Sequence, residues 1–183
     1  MIYTTDNGPW LPFLHHGGSA GPLRDGKGTT FEGGQRVPCV MRGPGIPAGT
    51  VCDELTGTID LLPTIAAITG KPLPKGKKID GLNVSGLWKG TEKNSPRTEF
   101  LHYTSRGDLE GIRSEKWKLL IKKPRRNPNN KPPEVFLFDL SKDLGEQNNL
   151  AEAKPGMVKK LRARMEALDA EITQNARQPW FKN

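Results

Sequence analysis

The sequence contains little cysteine and no long apolar run. Cys39 and Cys52 are the only cysteines among its 183 residues, and two thiols cannot build a disulfide-rich scaffold. Their spacing matches no zinc-binding pattern. No stretch reaches the roughly 18 consecutive apolar residues of a membrane span, so a membrane partner is not expected. The first residues show neither the basic nor the apolar segment of a secretory signal, which leaves the localisation open.

Acidic side chains are scarce in the middle of the chain. The formal net charge is +8, and residues 71–131 carry an excess of +10, with 16 basic and 6 acidic side chains. Such a segment could dock an acidic polymer, so a non-catalytic binding module is an alternative function. Its two densest runs, residues 75–78 and 122–126, contain glycine or proline and are typical of solvated loops. Nucleic acid is therefore not the expected partner.

Hydrophobic patterns predict short strands followed by a long helix. The predicted strands are residues 1–5, 37–41, 99–103, 111–113, 117–121 and 135–140, and the predicted helices are residues 58–70 and 155–177. In the last helix, Val158, Leu161, Met165, Leu168 and Ile172 follow spacings of three and four. This spacing places them on one apolar face that can pack on a sheet.

The order of these elements predicts an α/β (α+β) fold in two domains. Residues 1–90 resemble the end of an α/β domain whose other strands are missing, because two strands and one helix cannot make a covered sheet. Residues 91–183 are predicted to form a small antiparallel sheet packed by the final helix. Exposed sheet edges predict a homo-oligomer that covers them. The glycine-rich stretch 8–36 is expected to be a loosely held loop.

Two positions near the N-terminus have side chains suited to binding ions. Asp6 and Asn7 follow the first predicted strand and offer oxygen ligands to a hard cation, although Asp-Asn-Gly is also a common turn sequence. Lys27 lies between Gly26 and Gly28, where the backbone can approach a tetrahedral anion closely. A nucleotide phosphate loop is excluded, because Gly28 stands where serine or threonine is required.

Several spaced motifs give the chain a specific resemblance. They include Gly-Lys-Gly-Thr-Thr-Phe-Glu-Gly-Gly within residues 26–34 and Phe-Asp-Leu-Ser-Lys-Asp within residues 138–143. The matching segments are residues 5–8, 16–24, 26–38, 44–49, 60–64, 80–83, 113–119 and 138–150. In this order they resemble the C-terminal part of the arylsulfatases, the formylglycine-dependent branch of the alkaline-phosphatase-like superfamily. The resemblance implies that the first domain is the end of an alkaline-phosphatase-like α/β sulfatase domain.

The resemblance also implies roles for individual residues. Asp6 and Asn7 match a pair of ligands to calcium (or magnesium), and Lys27 matches a catalytic lysine that contacts the oxygens of the sulfate ester. His16 and Arg24 lie in the intervening loop and are candidates for binding the substrate. For His16 the alternative is an exposed loop side chain without a role.

One part of the family's machinery does not occur in this sequence. The resemblance implies hydrolysis of sulfate esters by a formylglycine nucleophile, formed in a Cys/Ser-x-Pro/Ala-x-Arg motif. Neither Cys39 nor Cys52 lies in such a motif, and no serine does. We therefore expect a fragment that is inactive alone, and the resemblance implies a periplasmic or extracellular location. A further alternative is an interaction remnant that is stable only as an oligomer.

Overall fold

The computed structural model describes residues 1–76, 78–124 and 132–177. Parts of the two basic runs, namely Lys77, Arg125 and Arg126, lie outside the described residues. The strands are β1 (Ile2–Thr4), β2 (Cys39–Met41), β3 (Glu99–Tyr103), β4 (Leu109–Ser114), β5 (Trp117–Lys122) and β6 (Glu134–Asp139). The α-helices are α1 (Glu32–Gln35), α2 (Leu61–Thr69), α3 (Ser85–Trp88) and α4 (Pro155–Gln174), with 3-10 helices at Leu11–His16 and Thr58–Asp60. Over the described ranges, no helix combines the length and apolar character needed to cross a bilayer.

The chain divides into two compact units. The first contains Met1–Thr4 and Cys39–Glu99, and the second contains Thr5–Pro38 and the chain from Phe100 onward. The predicted domain boundary between residues 90 and 91 stays a prediction. In the first unit, β1 and β2 form an antiparallel pair in which Ile2 lies opposite Met41.

Asp60 organises the start of α2 in the first unit. Its buried carboxylate accepts hydrogen bonds from the backbone N–H groups of Gly57 (2.8 Å) and Leu82 (2.7 Å) and from Arg97 Nε (2.8 Å). Burial alone would raise the pKa of Asp60, but the bonds from Arg97, Leu82 and Gly57 outweigh it and hold the pKa below its usual range. The helix ends at Gly70, whose left-handed φ of 65° is typical of a helix C-terminus.

The second unit contains a four-stranded sheet in the order β3-β4-β5-β6. Strand β5 pairs antiparallel with both β4 and β6, which places Ile112, Leu119 and Leu137 in one row across the sheet. These three fully buried side chains pack against Leu161 and Met165 of α4. The long helix therefore covers one face of the sheet, as its apolar spacing predicts.

The opposite face of the sheet is covered by the glycine-rich stretch. Side chains alternate along β5, so Leu120 points away from the helix and packs with Phe31 and Phe138 in a second buried cluster. Phe31 is 6% exposed. The expectation of a loosely held loop is wrong for this part of the stretch, because burial of an aromatic side chain fixes it to the sheet.

The architecture is the α/β (α+β) fold that the sequence predicts, with a small antiparallel sheet and a C-terminal helix. Strands β3 and β6 are the two edges of that sheet. The homo-oligomer that would cover such edges stays a prediction.

Candidate functional site

A pocket of about 700 Å³ lies within the glycine-rich stretch. Its lining comes entirely from one continuous part of the second unit, namely residues 5, 7–10, 17–21, 23, 27 and 36–38. Asn7 and Lys27, two residues that the sequence predicts as functional, therefore share one pocket although they are 20 positions apart.

Backbone hydrogen bonds bring the two positions together. The N–H of Gly8 donates to the carbonyl oxygen of Gly34 (3.2 Å), and the N–H of Lys27 donates to that of Pro9 (2.9 Å). A side chain at position 8 would clash with the carbonyl group of Gly33, so the close approach requires glycine there. The segment that follows Asn7 is thus fastened directly to the segment that carries Lys27.

Lys27 occupies a corner of a tight turn. The backbone N–H and the Oγ1 hydroxyl of Thr29 both donate to the carbonyl oxygen of Gly26, at 3.2 and 3.0 Å. Gly28 has a φ of 87°, which the third position of a type II turn requires and which favours glycine. The Lys27 side chain is exposed, and no other side chain among the described residues pairs with its ammonium group. Its position depends on how the backbone of this turn is held.

Asp6 and Asn7 place two polar side chains next to each other. Asn7 Nδ2 donates to Asp6 Oδ2 at 2.7 Å, and the Thr5 hydroxyl donates to the Asn7 carbonyl oxygen at 2.9 Å. A carboxylate beside an amide is a donor set that fits calcium or magnesium. Over the described ranges, no three His, Cys, Asp or Glu side chains form a metal-binding group. The pair would therefore supply only part of a coordination shell.

Asp6, His16 and Arg24 do not line the pocket, although Asp6 is hydrogen-bonded to Asn7, which does. His16 is exposed at the end of the 3-10 helix Leu11–His16. Arg24 Nη1 donates to the carbonyl oxygen of Glu146 at 2.8 Å, and its guanidinium lies 4.0 Å from the centre of the Phe31 ring. This geometry gives Arg24 a structural role in holding the loop, because its charged group is already bound.

Two lining residues were missed at the sequence level. Trp10 and Arg36 both contribute to the pocket, and Trp10 also stacks on Phe13 with ring centres 4.3 Å apart. Trp10 follows Asn7 by three residues, directly after Gly8-Pro9. This proximity to a predicted cation ligand could have indicated that Trp10 lines the site.

Glu32 belongs to a buried group of charges beneath the loop, which we call the charge cluster: Glu32, Arg113, Lys118 and Glu146. Lys118 Nζ lies 2.8 Å from Glu32 Oε1 and 3.1 Å from Glu146 Oε1, and Arg113 Nη1 lies 3.6 Å from Glu32 Oε2. The backbone N–H of Glu32 donates to Glu146 Oε2 at 2.7 Å. Burial raises the pKa of Glu146, although the nearby Lys118 opposes this effect.

His102 lies in β3 near the same cations. Its side chain is buried, and neither ring nitrogen has a hydrogen-bond partner among the described residues. Burial, together with the positive charges of Lys118 and Arg113, lowers its pKa to about 3. The ring is therefore neutral at ordinary pH and acts as a packing group.

Comparisons with known proteins identify the family. A family model described as Sulfatase matches residues 1–71. Arylsulfatase A from Homo sapiens is 38% identical over 200 residues, which cover 94% of this chain and 39% of that protein. Steryl-sulfatase from Homo sapiens is 34% identical and is matched over 92% of this chain and 34% of its own length. The crystal structure of the PsFucS1 sulfatase from Pseudoalteromonas sp. superposes with a TM-score of 0.77 at 26% identity, covering 97% of this chain and 38% of that one.

The chain belongs to the sulfatase family. The match to arylsulfatase A confirms the resemblance that the sequence motifs indicate. The chain spans 34% to 39% of the length of these two curated relatives.

Proposed function

We propose that this chain provides the part of a sulfatase active site that binds the sulfate group and a divalent cation. The observation that supports the proposal is the pocket shared by Asn7 and Lys27, with a direct backbone hydrogen bond between Pro9 and Lys27. The reaction class is hydrolysis of a sulfate ester. The names of the two curated relatives indicate aryl and steryl sulfates as the first substrates to examine.

In this proposal Lys27 binds the oxygens of the sulfate group. Its exposed ammonium can meet a tetrahedral anion that enters the pocket, and the flanking Gly26 and Gly28 let the backbone come close. During hydrolysis, negative charge grows on the oxygen of the departing alcohol. A fixed positive charge near that oxygen lowers the barrier, since it interacts more strongly with the transition state than with the ester.

Asp6 and Asn7 would hold the cation in this proposal. A bound calcium or magnesium ion would screen the charge of the sulfate group. The carboxylate oxygens of Asp6 and the amide oxygen of Asn7 are hard ligands suited to such an ion. Asp6 does not itself line the pocket and enters the proposal through its hydrogen bond to the lining residue Asn7. His16 and Arg24 are left out of the proposed site, because His16 does not line the pocket and the guanidinium of Arg24 is already bound by the carbonyl oxygen of Glu146.

The proposal does not assign hydrolysis to this chain alone. The 183 residues contain no Cys/Ser-x-Pro/Ala-x-Arg motif, so no side chain here is a candidate for the formylglycine nucleophile. Without a nucleophile held beside the ester, covalent catalysis and most of the positioning are absent. We therefore propose that the chain binds sulfate esters without turning them over.

The alternative of a binding module for acidic polymers has less support. In the described part of residues 71–131, ion pairs with acidic side chains involve at least five basic side chains, namely Arg97, Arg113, Lys116, Lys118 and Lys122. Lys118 is completely buried. Part of the positive charge of this segment is therefore neutralised by ion pairs within the fold, and less positive charge is available to bind an external acidic polymer.

Replacing Lys27 with alanine is expected to weaken the binding of inorganic sulfate by about tenfold or more, because a hydrogen bond to a charged group contributes about 1.5–3 kcal/mol. The affinity is measured by titrating the isotope-labelled chain with sodium sulfate and following the amide signals of Gly26, Lys27 and Gly28. Sodium chloride at equal ionic strength corrects for screening.

Lys123→Ala is the matched control, since Lys123 is an exposed lysine that does not line the pocket. It should leave the sulfate affinity unchanged. Equal affinities for the native chain and Lys27→Ala would remove Lys27 from the site and with it the main support for the proposed function.

A further inference from the structure

We propose that Glu146 and the charge cluster are positioning residues that fix the Lys27 turn to the sheet. The inference rests on the proposed function, because it concerns the lysine assigned there to sulfate binding. The Lys27 turn is defined as residues 24–33. One end is Arg24, which binds Glu146, and the other end is Glu32 and Gly33, where Glu32 binds Lys118 of the sheet.

Glu146 binds both ends of the Lys27 turn. Its carbonyl oxygen accepts a hydrogen bond from Arg24 Nη1 (2.8 Å), and its carboxylate oxygen Oε2 accepts one from the backbone N–H of Glu32 (2.7 Å). The two ends also bind each other, since the N–H of Gly33 donates to the carbonyl oxygen of Arg24 at 2.8 Å. One residue, 114 positions away from Glu32, therefore closes the base of the turn.

The carboxylate of Glu32 continues this connection into the sheet. It receives Lys118 Nζ at 2.8 Å, and Lys118 also reaches Glu146 at 3.1 Å. Lys118 and Glu146 are 0% exposed and Glu32 is 2% exposed. A second lysine of β5 also binds the turn, because Lys122 Nζ donates a hydrogen bond to the Thr30 hydroxyl at 3.0 Å. The turn is thus held through charged groups and not only through Phe31.

The use of buried ion pairs to hold the turn is better explained by the fixed orientation that they impose than by a gain in stability. Burying three charged side chains is costly, and well-packed apolar residues of similar volume often give equal or greater stability. Glu146 also adopts a left-handed φ of 53°, which disfavours residues other than glycine and persists only where surrounding contacts impose it. Directed ionic bonds fix the orientation of the groups that they join, which an apolar contact does not do.

The consequence for function lies in the position of the Lys27 ammonium. Its side chain is exposed and is not paired with any side chain in the described part of the chain, so the backbone of the turn decides where the charge stands. If the bonds from Arg24 and Glu32 to Glu146 were lost, the turn would move and the Lys27 ammonium would occupy many positions. The affinity for sulfate would then fall even though Lys27 itself is present.

Amide hydrogen exchange on the full chain tests this inference without any ligand. In Glu146→Leu, the amides of Lys27 and Gly33 should exchange about tenfold faster or more, because the bond to Glu32 N–H is lost. The amides of Leu161 and Met165 in α4 should change far less. Glu146→Gln keeps an oxygen acceptor for the Glu32 N–H and should restore most of the protection.

Two further variants make the experiment decisive. Asp139→Asn is the matched control, since Asp139 is a buried carboxylate of the same sheet that binds Lys116 and Ser141. It should leave the exchange of Lys27 and Gly33 unchanged. If Glu146→Leu does not fold, Arg24→Met removes the other end of the same connection without emptying the charge cluster, and the same acceleration at Lys27 and Gly33 is expected.

The outcomes separate this inference from the proposed function. Unchanged exchange at Lys27 and Gly33, or an equal acceleration in α4, would overturn the positioning role whether or not sulfate binds. Sulfate titration supplies the second measurement, in which Glu146→Leu should weaken binding at least severalfold and Glu146→Gln should retain it. A native chain that binds no sulfate would contradict the proposed function and leave the exchange result to decide the positioning role.

Discussion

Replacing Lys118 with methionine is expected to lower the free energy of unfolding by about 3–5 kcal/mol, the cost of removing one partner from a buried ion pair. The Lys118 ammonium lies between the carboxylates of Glu32 and Glu146, and all three side chains are at most 2% exposed. Without it, two buried negative charges face each other, and Arg113 at 3.6 Å is the remaining cation. Equilibrium unfolding in urea measures the change.

Lys116→Met is the matched control for this variant. The side chain of Lys116 is 48% exposed and lies 3.3 Å from Asp139. Because water screens such a pair, its loss should cost less than about 1 kcal/mol. If Lys118→Met destabilised the protein no more than Lys116→Met, the charge cluster would not be the anchor that its geometry indicates.

The second large effect is an acid-dependent loss of stability caused by His102. The pKa of this buried side chain is about 3 in the folded protein, against about 6.5 in the unfolded chain. Between these values the unfolded chain takes up a proton that the folded protein does not. Stability therefore falls as the pH decreases below about 6.5, by up to about 1.4 kcal/mol per pH unit. At pH 5 the contribution of His102 amounts to roughly 2 kcal/mol.

The His102→Leu variant removes this proton uptake. Unfolding free energies of the native and variant chains are measured at pH 8, 6.5 and 5. The value for the native chain minus that for His102→Leu should fall by roughly 2 kcal/mol between pH 8 and pH 5, because only the native chain loses the His102 contribution. The raised pKa of Glu146 acts in the opposite direction, since protonation favours the folded state as the pH falls. This effect of Glu146 is present in both chains, so it does not change the difference between their unfolding free energies. His16→Ala is the control, and parallel pH profiles for the native chain and His102→Leu would contradict the assignment.

The sheet and its helix could be predicted because both follow local patterns. The apolar spacing in residues 158–172 predicts α4, and Val158, Leu161, Met165 and Leu168 meet the sheet as predicted, whereas Ile172 is 40% exposed. Residues 117–121 are predicted as a strand in the same way, and the observed strand β5 extends one residue further, to Lys122. Because side chains alternate along a strand, Lys118 and Lys122 lie on the face of the sheet opposite α4, and lysines in such positions are normally exposed to solvent. The partners that bury Lys118 lie 86 and 28 positions away, and no local pattern reveals them.

The candidate site depended on the family resemblance more than on the residues themselves. Asp6-Asn7-Gly8 reads as an ordinary turn when taken alone, and Lys27 lies in a glycine-rich stretch without periodicity. The structure adds the backbone hydrogen bond between Pro9 and Lys27, which brings Asn7 and Lys27 to one pocket. It also places Arg24 beneath the loop and Trp10 in the lining. Both depend on long-range packing, which the sequence pattern does not contain.

The proposed site is tested most sharply by asking whether calcium and sulfate bind in the same pocket. Calorimetric titration with calcium should show weak binding, not tighter than about micromolar, because two side chains leave most of the six to eight ligand positions to water. Adding sulfate at constant ionic strength should raise the calcium affinity about fivefold or more, since two ligands that favour each other in one site do so reciprocally.

Two variants assign the effect to the predicted residues. Asp6→Ala should abolish calcium binding, and Lys27→Ala should keep it but lose the enhancement by sulfate. This pattern is expected if Asp6 and Asn7 bind the cation and Lys27 binds the anion, as proposed above. A calcium affinity that is the same with and without sulfate in the native chain would contradict the shared pocket.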